Sequence, residues 1–165
     1  MRKQSAFTLI EVVVVILILG IVAAIAAPII SKMSQSTYTQ QKLMGNIQQG
    51  RNALLRITED LRNMVAIGSS VSISSGHSSE ITFQDAEGDT ITYDVSSSNL
   101  ERNNELLAQG VSSGDLDFYY YNGSGSLTNT KSDIRYVKVS FTMSDSSGTS
   151  IPFSSLVYLR NSGES

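Results

Sequence analysis

A chain of 165 residues with a formal net charge of −3 and a pI near 5.1 has room for one folded domain plus an appendage, since ordinary domains run roughly 100–200 residues. The mild acidity argues against the basic surface that nucleic acid demands. The lack of cysteine excludes disulfides and thiolate metal sites.

The first element is an apolar run. From Phe7 to Ala27 the sequence is interrupted only by Thr8, Glu11 and the small Gly20. At 1.5 Å rise per residue, a helix of this length spans roughly 30 Å, enough for one bilayer crossing. Arg2 and Lys3 precede it and the next cation is Lys32, so the positive-inside rule keeps the N-terminus in the cytoplasm and exports the remainder. A secretory signal cleaved among Ala24, Ala26 and Ala27, or an uncleaved anchor, would use the same features. The short basic leader, the length of the run and Glu11 weigh against a cleaved signal, yet these features by themselves leave a cleaved signal and an anchor both open. A charge at the bilayer centre costs about 2.5–3.5 kcal/mol on insertion scales, which makes an intramembrane acid a functional residue by default. Gly20 and Pro28 weaken the end of the run, because glycine and proline are both costly inside a helix.

The order Ala6-Phe7-Thr8-Leu9-Ile10-Glu11, behind a short basic leader and before an apolar stretch ending in Pro28, closely resembles the N-terminus of type IV pilins and type II secretion pseudopilins. The resemblance implies that a membrane peptidase cuts between Ala6 and Phe7, removing residues 1–6 as a leader, and that the new amine of Phe7 is N-methylated. Ala6 departs from the glycine usual before the cut. Residues 7–28 would form the transmembrane and assembly helix. Assembly would fall to Thr8, Glu11, Gly20 and Pro28, with Glu11 neutralising the cationic amine of a neighbouring subunit.

After Pro28, the apolar residues Leu43, Met44, Ile47, Leu54, Ile57, Leu61, Met64 and Val65 recur at spacings of three, four or seven, the stripe of an amphipathic helix. Gln48, Arg51, Glu59, Asp60 and Arg62 fall mainly off it. This predicts a helix over residues 29–68, loosened at Gly45 or Gly50 and ending near Gly68. From Val71 the period falls to two: Ile81 with Phe83, Ile91 with Tyr93 and Val95, Leu116 with Phe118 and Tyr120, and Val137 with Val139, Phe141 and Met143. Turn-forming stretches at 85–89, 122–125 and 145–148 separate them, and a last strand includes Leu156 to Arg160. The expected fold is α+β, a long N-terminal helix packed against an antiparallel sheet occupying residues 69–165.

The stretches Leu55 to Arg62, Ile81 to Phe83, Gly88 to Tyr93, Phe118 to Tyr121, Ile134 to Val139 and Arg160-Asn161 run in an order similar to J-type minor pseudopilins and related minor pilins. Glu11 argues against the K-type subunit, which lacks that acid. His77, the only histidine, reads as a solvated loop residue, since its serine neighbours come with no orienting acid. Asp85, Glu87 and Asp89 carry oxygen ligands at alternate positions, as a calcium loop does, but the glycine is misplaced and Ser96 stands where a bidentate acid belongs. A hairpin turn is the expected reading, with Asp115 and Asp117 on the outer face of a strand. In the run Tyr119-Tyr120-Tyr121, the outer two should point opposite to Tyr120.

The resemblance therefore implies a non-enzymatic minor pseudopilin, without cofactor, near the tip of a type II secretion pseudopilus. Its expected partners are the prepilin peptidase, other major and minor (pseudo)pilins and an inner-membrane assembly platform, with no nucleic acid. It would cross the bacterial inner membrane once, with its head in the periplasm. A minor pilin of a type IV pilus for adhesion, motility or DNA uptake shares every stem feature. A membrane-tethered binding or hydrolytic domain is the third possibility.

Overall fold

In a computed structural model the described residues are 8–68, 73, 75–144 and 148–159, the side chain of Thr39 excepted. One helix, α1 (Leu9–Arg62), precedes the strands β1 (Met64–Ile67), β2 (His77–Ser78), β3 (Ile81–Asp85), β4 (Thr90–Ser96), β5 (Asn99–Arg102), β6 (Glu105–Gln109), β7 (Val111–Tyr121), β8 (Tyr136–Ser144) and β9 (Ser150–Tyr158), with a short 3-10 turn at Lys131–Asp133. The fold is α+β, a long N-terminal helix with antiparallel sheets.

The chain divides into two units, Met1–Lys42 and Leu43–Ser165. In the first, α1 has an 18-residue window with mean hydropathy 3.1 and nothing in it buried. By length and composition it can cross a membrane. Pro28 lies inside the helix without ending it, although it has no N–H to offer the Ala24 carbonyl.

In the second unit the remaining turns of α1 cover a core. Gly50, Ala53, Ile57, Asp60 and Leu61 are buried at spacings of three and four, and Met64 continues the line. The expected stripe is thereby corrected at both ends, since Met44 is 69% and Val65 44% exposed. Gly50 does not loosen the helix. A Cβ there would overlap the Phe153 ring and sit 2.8 Å from Met143 Sδ, so glycine lets the sheet approach the helix closely. The helix stops at Arg62, six residues before the expected Gly68. The Asn63 N–H bonds to the Asp60 carbonyl at 3.1 Å, and Met64–Ile67 turns away as a strand paired with β3.

Two sheets stand where one was expected. The first has the order β1-β3-β4-β5-β6 and the second β2-β7-β8-β9, with every pairing antiparallel. The chain passes from one to the other at Gly110, whose φ of +82° is costly for any side chain and whose Cβ would lie 2.5 Å from the Ser144 carbonyl oxygen. Its N–H bonds to the Ser98 carbonyl and its own carbonyl accepts from Ser144 N–H. Between the sheets and α1 a single apolar cluster joins Ile81, Phe83, Ile91, Tyr93 and Leu100 to Leu116, Phe118, Val137, Val139 and Phe141. The alternation predicted for β3, β4, β7 and β8 therefore points as expected.

Candidate functional site

At the start of the stem, the Thr8 carbonyl accepts from the N–H groups of Glu11 at 3.1 Å and Val12 at 3.3 Å, and the Thr8 hydroxyl approaches Glu11 Oε2 at 3.5 Å. The Thr-x-x-Glu spacing is that of a capping box, and an acid in the first turn faces the positive end of the helix dipole. That is worth about 0.3–1 kcal/mol, well below the cost of about 2.5–3.5 kcal/mol for a charge deep in hydrocarbon. Capping alone does not offset burial in lipid, and a counter-charge from outside would. Ala6 and Phe7 lie outside the described residues, as do Asp145, Ser146, Ser147 and Arg160. A Cβ at Gly20 would meet nothing within 4 Å, so packing within this chain does not require glycine there.

In the head, the sequence reading missed Asp60. Read as off the apolar stripe, it is only 6% exposed. Its Oδ2 accepts from the Tyr93 hydroxyl at 2.7 Å and from Arg102 Nε at 2.6 Å, while Arg56 Nε lies 3.4 Å from Oδ1. One carboxylate thus ties α1 to β4 and β5. Its place three residues after Ile57 and beside Leu61 was the available signal. The hydrogen bond to Asp60 raises the pKa of Arg102, with burial opposing. Burial first, and then Asp60, pushes the Tyr93 phenol well above its ordinary value.

Asp60→Ala leaves the buried Tyr93 hydroxyl and Arg102 without their acceptor. Breaking a fully buried ion pair costs about 3–5 kcal/mol. Because the Arg102 side chain keeps 22% exposure and can turn toward water, the expected loss is about 2–4 kcal/mol. It is read as a fall in the head's urea midpoint, and a change below about 1 kcal/mol would contradict the role given to this cluster.

Asp85 Oδ1 accepts from the backbone N–H groups of Glu87 at 3.2 Å and Asp89 at 2.8 Å, closing the β3–β4 turn. Among the described residues no group of three or more His, Cys, Asp or Glu side chains is arranged to hold a metal. His77 belongs to β2, not to a loop, pairs with Tyr119 and sets its ring edge-on at 5.9 Å. Asp115 and Asp117 are half-buried, and Asp117 accepts from the Tyr119 hydroxyl at 3.5 Å.

Tyr120 is fully buried, while Tyr119 and Tyr121 face the other way and are half-buried. Tyr120 shares a 2.6 Å hydrogen bond with Ser78. Burial, with a smaller push from Glu80 and opposition from Ser78, raises its pKa to about 12. Its neutrality contributes stability that is fully present below the ordinary phenol pKa of about 10 and is lost as pH rises through the folded value. The unfolding free energy read from urea titrations should therefore fall between about pH 10 and 12, by up to roughly 3 kcal/mol from Tyr120. Tyr120→Phe should flatten part of that decline, and a flat profile in the unaltered protein would contradict the burial.

Residues 1–27 match the family described as the prokaryotic N-terminal methylation motif. No curated protein and no solved structure matches the chain. A methylation motif leading a long apolar helix and antiparallel sheets supports a type IV pilin-like family for this chain.

Proposed function

We propose that this protein is a minor pseudopilin-like subunit of a type II secretion system, assembled near the tip of a periplasmic pseudopilus. The observation that carries the reading is the methylation motif over residues 1–27. Leader removal by a prepilin peptidase frees the Phe7 amine, which stays cationic after N-methylation. Placed among apolar helices, that amine and the Glu11 carboxylate of the neighbouring subunit are each costly alone and stable together. Gly20 offers a site where a second helix backbone can approach closely, and Pro28 lets the stem yield where its hydrogen-bond ladder is interrupted. The apolar face of α1 then packs against other stems, and the head presents its surface to the periplasm. The pseudopilin choice within the pilin-like class rests on the order of the head segments from Leu55 to Asn161.

Deleting the gene in its own bacterium and following both exported enzymes and surface pili tests the choice. The expected result is retention of exported proteins in the periplasm with pili intact. Loss of pili with secretion intact would assign the chain to a type IV pilus as a minor pilin.

A further inference from the structure

We propose that a pocket on the outer face of the second sheet binds an acidic sugar, a pyranose ring bearing a carboxylate. The pocket lies wholly within the head and is the same whichever filament the stem joins.

Across β7, β8 and β9, Tyr121, Tyr136 and Tyr158 are register partners in one row. Tyr119, Lys138 and Leu156 form the next row. A cavity of about 400 Å³ opens among Tyr121, Tyr136, Lys138, Leu156 and the loop at Gly123 to Gly125. That is within the roughly 300–1,000 Å³ of small-molecule sites. The loop wall is pre-organised. Asn122 Oδ1 accepts from Ser124 N–H at 3.1 Å, Ser124 Oγ at 2.7 Å and Ser126 N–H at 3.0 Å, and Gly125 takes a φ of +81° to close the turn.

The lining selects the ligand. Tyrosine rings present faces of negative partial charge that attract C–H bonds polarised by neighbouring oxygens, and the phenol and backbone groups at the rim suit hydroxyls. A pyranose offers an apolar face and a polar edge in the same ring. Among the described residues, Lys138 is the only charged one in the lining. Its ammonium lies 5.7 Å from the Tyr119 ring centre. A ligand carboxylate would supply the charge that the pocket lacks. A nucleic-acid strand is disfavoured, because a single cation does not make the basic groove that follows a backbone.

The test uses the isotope-labelled full chain in detergent, titrated with a galacturonate oligomer, the matching neutral galactose oligomer and benzoate. The expected result is a saturable shift of amides confined to Tyr121–Gly125 and Tyr136–Lys138 with the acidic oligomer. The neutral oligomer and benzoate should each bind roughly tenfold or more weakly, one lacking the charged hydrogen bond and the other the sugar hydroxyls. Lys138→Gln should weaken the acidic oligomer by roughly tenfold or more without altering the rest of the spectrum. Several results would overturn the proposal: no saturable binding, equal binding of the neutral oligomer, benzoate as good as the sugar acid, or an unchanged affinity in Lys138→Gln.

Discussion

Glu11→Gln is expected to remove the subunit from filaments by roughly a hundredfold or more while leaving it inserted and folded. The substitution keeps the shape of the side chain and deletes its charge, so bilayer insertion is unimpaired or slightly easier. The head is unaffected, because Glu11 belongs to the unit Met1–Lys42 and the core to Leu43–Ser165. The partner amine would be left unpaired in hydrocarbon at a cost of about 3–5 kcal/mol, whereas the lost helix-capping contribution is about 0.3–1 kcal/mol. Insertion, leader removal and recovery in sheared or crosslinked filaments, measured side by side, separate the two effects. Normal incorporation would remove the docking role. A partial loss would favour a place at the extreme tip, where a subunit docks with fewer neighbours.

A second large effect is expected from shortening the helix. Removing residues 1–33 deletes the membrane-spanning segment and spares every buried residue of α1, so the product should be a soluble domain with a cooperative melt. Removing residues 1–68 deletes Ala53, Ile57, Leu61 and Met64 from the core, and Asp60 with them. Three of these are large apolar side chains, each worth about 1.5–3 kcal/mol on burial. Their sum is comparable with the roughly 5–15 kcal/mol that stabilises a whole domain. The shorter protein should therefore show neither a cooperative melt nor dispersed amide resonances. If it shows both, the helix is not part of the core.

The parts of the fold legible in the sequence are those with a clear period. Ile57 and Leu61 mark the buried face of α1 by helical spacing, and Val137, Val139, Phe141 and Met143 mark β8 by alternation. The β5–β6 hairpin was illegible for two reasons. Glu105-Leu106-Leu107-Ala108-Gln109 is built of good helix formers, and its turn is Asn103-Asn104, with φ of +50° and +66°, where glycine is the usual signal. Tertiary pairing decided it: the Asn103 N–H bonds to the Thr92 carbonyl, and Asn103 Oδ1 accepts from Thr92 N–H at 2.7 Å. The division into two sheets was equally hidden, because β2 pairs with β7, which is distant in sequence. At the candidate site, the residues around Glu11 were readable because the chemistry lies within one short contiguous stretch. Asp60 and the tyrosine pocket were not, since Tyr93 and Arg102 reach Asp60 only when the sheet packs on α1 and the pocket's rows are set by strand register.

Every role proposed for the stem requires that Phe7 become the methylated first residue of a pilin-like subunit. Mass spectrometry of the N-terminal peptide, taken from the protein purified out of its own membrane, tests it most directly. The expected peptide begins at Phe7 and carries one methyl group on its α-amine. A chain beginning after Ala27, or one retaining Met1, would contradict it.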